Sequence, residues 1–287
     1  MNKKQENKIV LGTAQFSNNY GITNNKFLSN NEIKNILEDA LKFSIKTIDT
    51  APNYEGVEKK IGKFNLKSFN LITKVSLIKN NSFISLNDLK HNIRNSLSNL
   101  NIDKIYAVLL RNPKELLRNK KLLDVLKEYK KKEKISKIGY TLYDVKELEE
   151  LYKYFKPDIV QIPFSIVDKS FEKKNWISKM YYDGVEIHVR SIFLQGLLLE
   201  NVSNLPKKFL RYKGFFEKFN LWVHKKKLSK LQACLGPILA DKRITKVVIG
   251  INSRKNLAQL NNIKENNIIY PEWFKLKDKN LLNPSNW

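Results

Sequence analysis

Apolar residues fall into two alternating patterns along the chain: short, nearly continuous runs, and longer stretches in which they recur every three or four positions. The runs predict strands at Ile9–Ala14, Thr47–Thr50, Asn70–Val75, Ile105–Leu110, Ile135–Leu142, Ile159–Phe164, Gly184–Phe193 and Lys246–Gly250. Parallel strands buried on both faces have this continuous character, whereas strands with one wet face alternate. Helical stretches lie between them. Ser29-Asn30-Asn31-Glu32 has the spacing of a capping box and opens a helix with Ile33, Ile36, Leu37, Ala40 and Leu41 along one face. Further helices are predicted over 55–64, 86–99, 115–132, 144–155, 170–182, 215–231 and 253–264. Eight strand–helix units with no linker-like shift in composition predict an α/β fold, a single-domain (β/α)8 TIM barrel over 1–287. The first strand is not followed by Gly-x-Gly-x-x-Gly, which argues against a doubly wound dinucleotide-binding sheet.

The longest irregular stretch, 200–214, follows the seventh strand. It reads equally as a lid over the carboxyl ends of the strands or as a mobile surface loop. The tail at 270–287 is rich in aromatic residues and proline, so it is expected to pack on the barrel.

Hydrophobic residues make up 42% of the chain, enough to fill such a core, so disorder is a poor reading. One cysteine, Cys234, excludes an internal disulfide or a cysteine metal cluster. The start of the chain, Met1 to Lys8, is charged and lacks the apolar stretch of a signal peptide, and no run of about 18 apolar residues occurs. The expectation is a cytoplasmic protein with no membrane contact and no bound metal. A formal charge of +25 raises a nucleic-acid reading. The lysines are dispersed along helices and loops, however, and only seven of the 53 basic residues are arginine, a bias that looks like AT-rich codon usage. No specific nucleic-acid partner is expected, though the broad positive field should draw in anionic ligands.

Candidate chemistry lies where barrel enzymes place it. Asp49 ends the second strand, Tyr54 follows in the next loop, and Lys74 stands near the end of the apolar third strand. A lysine there needs a partner, and an aspartate on the adjacent strand supplies one. A phenol beside the cation should give up its proton more readily than its usual pKa near 10 allows, and so could protonate a carbonyl oxygen. Spacing alone leaves open a structural ion pair with an incidental tyrosine.

The stretch Ile48-Asp49-Thr50-Ala51-Pro52-Asn53-Tyr54-Glu55-Gly56-Val57-Glu58, with Ile61-Gly62 following, resembles the aldo-keto reductase signature. Leu11-Gly12-Thr13-Ala14-Gln15-Phe16 and Tyr20-Gly21-Ile22 are similar to that family's first strand and loop. Ile72-Thr73-Lys74, Ile138-Gly139-Tyr140-Thr141, Val160-Gln161-Ile162-Pro163-Phe164, Phe193-Leu194-Gln195-Gly196-Leu197-Leu198 and Val248-Ile249-Gly250-Ile251-Asn252-Ser253 extend the resemblance in order along the chain. It implies an NADP-dependent oxidoreductase reducing a small aldehyde or ketone, of a sugar-like kind, to an alcohol. Tyr54 would be the general acid, tuned by Asp49 and Lys74. Thr141 and Gln161 match the positions that bind the nicotinamide carboxamide, and Ser253 and Arg254 match the stretch that holds the adenosine 2′-phosphate. Gly12, Thr13 and Asp49 complete the cofactor positions implied. Arg190 stands where many members place an aromatic ring against the nicotinamide; a guanidinium can stack similarly, or pair with an acid such as Glu186.

One position departs from the family. The residue at the end of strand four is usually histidine, and here Leu109-Leu110-Arg111-Asn112-Pro113 supplies Arg111. Arg111 would add a fixed charge to the catalytic group. The alternative is an NADP-binding protein whose catalysis Arg111 impairs. Of the three histidines, His91 and His224 fall in helical stretches and His188 in strand seven, where a hydrogen-bonded core role is expected. The pattern fixes neither substrate identity nor oligomeric state.

Overall fold

The eight predicted strands are all present and close on themselves. They are β1 Ile9–Gly12, β2 Thr47–Asp49, β3 Asn70–Ser76, β4 Ile105–Arg111, β5 Ile135–Thr141, β6 Ile159–Pro163, β7 Glu186–Arg190 and β8 Lys246–Gly250. A computed structural model describes residues 7–17, 28–79, 82–283 and 286–287; Tyr20-Gly21-Ile22 and the charged start of the chain lie outside them. Each strand pairs in parallel with its neighbours in sequence, and β1 pairs with β8 to complete the ring. A short antiparallel hairpin, Ile78–Lys79 with Ser82–Phe83, follows β3.

Helices surround the ring: α1 Asn30–Lys42, α2 Val57–Ile61, α3 Leu86–Leu100, α4 Glu115–Arg118, α5 Lys121–Lys131, α6 Val145–Tyr154, α7 Trp176–Tyr182, α8 Lys213–Lys225, α9 Lys230–Ala240, α10 Arg254–Asn261 and α11 Lys279–Leu282. Ser29 caps α1 reciprocally with Glu32, and Ser85 caps α3 with Asp88 in the same way. The main core lies between strands and helices, and Ile72, Ala107, Leu109 and Ile159 fill the barrel's interior. Close packing has local requirements. A Cβ at Gly139 would stand 2.0 Å from the Ile159 carbonyl oxygen, so only glycine lets β5 and β6 approach as they do. A Cβ at Gly62 would likewise stand 2.0 Å from the Asn99 carbonyl oxygen, so glycine there lets the end of α2 seat on α3.

Four elements differ from the sequence expectation. Strand β7 stops at Arg190 instead of Phe193, because Ser191, Leu194 and Gln195 adopt left-handed backbone and coil the chain away. The stretch 170–182 is a 3-10 turn followed by α7, broken at Lys174 and Asn175, both with positive φ. The single helix expected over 115–132 is split into α4 and α5. The single helix expected over 215–231 is instead α8 and α9. Helix α9 was missed, since Gly236-Pro237 reads as a break and nearly every side is apolar. Pro237 has no N–H to give the Ala233 carbonyl, and the Tyr270 hydroxyl donates to that oxygen instead.

The segment 200–214 forms 3-10 turns. Leu205 and Phe209 from this segment share a second apolar cluster with Phe216, Phe219, Phe274 and Leu281, so the tail lies against it too. Among the described residues no helix is long and apolar enough to cross a membrane.

Candidate active site

The carboxyl ends of the strands bring the polar residues together. Asp49 ends β2, and its register partners are Gly12 on β1 and Ile72 on β3. Lys74, two residues beyond Ile72, therefore reaches across to Asp49. Its Nζ lies 2.5 Å from Asp49 Oδ1 and 3.0 Å from the Thr50 carbonyl oxygen. The other carboxylate oxygen accepts from Gln161 Nε2 at 2.8 Å. Thr13 fixes the backbone beneath, its N–H and hydroxyl both donating to the Asp49 carbonyl at 3.0 Å. Asp49 and Lys74 are 3% and 5% exposed, so this pair is buried and fully hydrogen-bonded.

Tyr54 sits in the turn between β2 and α2, its N–H bonded to Ala51 and its carbonyl accepting from Val57. Lys74 Nζ lies 5.5 Å from the centre of its ring. Burial pushes the Tyr54 phenol above the ordinary tyrosine value, and the negative charge of Asp49 adds to this. Arg111 and Arg190 pull the other way without prevailing. The expected lowering by a neighbouring cation is thereby corrected: desolvation outweighs it, and Tyr54 keeps its proton at neutral pH. Lys74 is shifted downwards by the same burial, while Asp49 favours its charged form.

Arg111 ends β4 opposite Ser76. Arg190 ends β7 opposite Pro163 on β6. Its guanidinium donates to the Leu142 carbonyl at 3.1 Å and to Ser191 Oγ at 3.3 Å, and stacks 4.0 Å from the Tyr143 ring centre. Pairing with Glu186 does not occur, since that carboxylate is engaged by Lys137 and Tyr106 at the opposite end of the barrel. His188 is buried in β7, the core position expected, and faces Glu186 across a gap just longer than an ordinary hydrogen bond. Its Nε2 stands 3.6 Å from Glu186 Oε2, and burial lowers its pKa.

A cleft of about 820 Å³ opens above these groups. Gly12, Asp49, Tyr54, Lys74, Arg111, Thr141, Gln161 and Arg190 line it at one end, and it continues past β8 to Asn252 and Asn256 at the start of α10. Ser253 caps that helix, its hydroxyl accepting from the Asn256 N–H. Arg254 projects towards α1, where Asp39 accepts from its Nε at 2.6 Å and Nη2 at 3.2 Å. The structure thus brings together every expected site residue except Thr13, Ser253 and Arg254, which stand behind or beside the cleft. Sequence reasoning did not single out Asn53, Tyr143 and Lys230, which also line it. Asn53 lay within the signature, directly before Tyr54, whereas Tyr143, on a loop, and Lys230, at the start of α9, carried no signal.

Closed parallel barrels with a polar constellation at the carboxyl ends of their strands form a broad class of enzymes. Within it, this chain belongs to the aldo/keto reductase family, whose model matches residues 8–278. The family consists of oxidoreductases that use nicotinamide cofactors and act on small carbonyl compounds. Among solved structures, the holo form of an aldo-keto reductase from Bacillus halodurans is 20% identical, with a TM-score of 0.71 over 88% of this chain and 85% of that one. Its apo form is 21% identical, with a TM-score of 0.68 over 85% and 84%. A thermostable aldo-keto reductase in complex with the inhibitor epalrestat is also 21% identical, with a TM-score of 0.66 over 90% of each chain. No curated protein matches the chain.

Proposed function

We propose that the protein reduces an aldehyde or ketone to an alcohol with NADPH, Tyr54 acting as general acid. The observation that carries this reading is the convergence of Tyr54, Lys74 and Asp49 at the foot of a cleft of about 820 Å³ that continues to the start of α10.

The residues fit such a cofactor. Gln161 is held by its bond to Asp49, which leaves its carbonyl oxygen as acceptor for a carboxamide N–H, and Thr141 stands beside it in register. Gly12 lines the same floor. The start of α10 offers backbone N–H groups to an anion. Arg254 stands at the start of α10, and its five N–H donors, two of them engaged by Asp39, leave others for a 2′-phosphate. Arg190, flat against Tyr143, provides a planar surface for a nicotinamide ring. When bound, the nicotinamide supplies hydride to the carbonyl carbon.

The chain's own residues deal with the proton. Tyr54 holds it firmly before reaction, because burial and Asp49 both oppose its loss. As the carbonyl oxygen gains negative charge, Lys74 and Arg111 stabilise the anions that develop beside them. Asp49 fixes Lys74 in place. The donated proton is replaced from solvent through the open cleft. Sugar-like carbonyls suit the polar lining of Asn53, Tyr54, Arg111 and Tyr143.

A panel of aldehydes and aldoses with NADPH deuterated at C4 tests the reading: deuterium should arrive on the carbinol carbon, and its absence from every product would refute hydride transfer. Arg254→Ala should weaken NADPH binding roughly tenfold and leave NADH unaffected. The rival reading, a cofactor-binding protein impaired by Arg111, predicts that Arg111→His raises turnover sharply.

A further inference from the structure

The reacting end of the cleft is rich in uncompensated positive charge. Lys74, Arg111 and Arg190 face one carboxylate, Asp49, which is engaged by Lys74 and Gln161. Among the described residues the cleft's other carboxylate is Glu200, beside Lys230. Arg190 finds a carbonyl, a hydroxyl and a ring. Arg111 is different: no carboxylate or hydrogen-bond acceptor engages it among the described residues. It is nonetheless half-buried, at the end of an apolar strand. Alternation along β4 puts it on the face of Ala107 and Leu109, which plug the barrel's interior just below. Its charge reaches both Tyr54 and Lys74, so it stands beside the reacting centre and not at the rim.

A guanidinium at the floor of a cleft, with no protein acceptor holding it, keeps its N–H donors free for a ligand. Its planar fork matches a carboxylate with two parallel hydrogen bonds. We propose that the substrate is a carbonyl compound bearing a carboxylate a few bonds from the reacting carbon, selected by Arg111. This rests on the reductase reading and assigns its substrate class. The bound anion offsets the surplus charge, while the carbonyl oxygen remains with Tyr54. The chain's wider positive field raises the local concentration of such anions.

Matched substrate pairs test the proposal: butanal against succinate semialdehyde, and benzaldehyde against 4-carboxybenzaldehyde, each with NADPH. The acid member should have the higher kcat/KM by about 30-fold or more, mainly through KM. Arg111→Leu should erase that preference, and Arg111→Lys should keep part of it. Calorimetric titration of succinate, into the protein alone and with NADP, gives a reading independent of turnover; Arg111→Leu should weaken binding at least roughly tenfold. Equal use of acid and neutral members by the parent protein would overturn the proposal and leave the reductase reading intact. An Arg111-dependent preference for glyceraldehyde 3-phosphate over both acids would overturn the carboxylate assignment. Succinate binding through Arg111 with no carbonyl reduced would uphold the anion site and sink the reductase. Neither turnover nor Arg111-dependent binding would remove both.

Discussion

At the carboxyl mouth of the barrel a lysine, a carboxylate and a tyrosine meet as Lys74, Asp49 and Tyr54; at the amino mouth Lys137, Glu186 and Tyr106 meet likewise. Both ion pairs are 2.5 Å long, and both lysines lie close to the tyrosine ring, at 5.5 Å and 5.0 Å. The differences are in charge balance and solvent. Tyr106 donates to Glu186 and accepts from Lys137 at 3.0 Å, so its hydroxyl is tied into a closed triangle whose charges cancel. At the other mouth the pair is buried, two guanidinium groups are added, and the cleft above is larger, about 820 Å³ against 450 Å³. The same three side chains stabilise a barrel end when their charges close on one another. They become candidates for chemistry when a positive excess is left beside a protonated phenol.

The largest effect that separates the two mouths should come from their lysines. Lys74→Met strands Asp49 in a dry site and should cost about 3–5 kcal/mol of stability, together with most activity. Lys137→Met removes a half-exposed pair and should cost about 1 kcal/mol, with turnover little changed. Denaturant melts of both variants decide this, and similar losses would erase the contrast.

A smaller effect lies in the acid limb of stability. Burial alone would raise the Glu186 carboxyl, but His188 and Lys137 outweigh it and bring it to about 2. The unfolded chain has the ordinary glutamate value near 4.3 and binds this proton first on acidification. The contribution of Glu186 is therefore complete above about pH 4.3 and is lost as pH falls towards 2. Glu186→Gln should flatten the stability profile in that window and leave activity near neutral pH unchanged. An undiminished slope would show that Glu186 is not the group responsible.

Much of this was legible along the chain. The strands were found because parallel strands have no wet face, and their order forced the closed topology. Asp49, Tyr54 and Lys74 stood out because strand ends and the loops after them are local in sequence, whereas Thr141, Gln161, Arg111 and Arg190 were picked out by the family resemblance alone. What escaped depended on contacts distant in sequence. Helix α9 tolerates Pro237 only because Tyr270, more than thirty residues on, takes the orphaned carbonyl. Strand β7 was drawn too long because Ile192, Phe193 and Leu194 continue its apolar run while the backbone turns. The shift of Tyr54 was foreseen with the wrong sign, because desolvation is a property of the assembled pocket and leaves no mark on spacing. Arg254's partner, Asp39, was invisible for the same reason.

On the proposed function, the phenol at one mouth is chemical and its counterpart at the other is structural. Turnover of NADPH with a reactive aldehyde, measured beside cofactor affinity in Tyr54→Phe and Tyr106→Phe, tests it most directly. Tyr54→Phe should lose roughly 10²–10⁴-fold in kcat with cofactor affinity intact, and Tyr106→Phe should lose less than about twofold. Retained turnover in Tyr54→Phe, or an equal loss in both variants, would contradict the account.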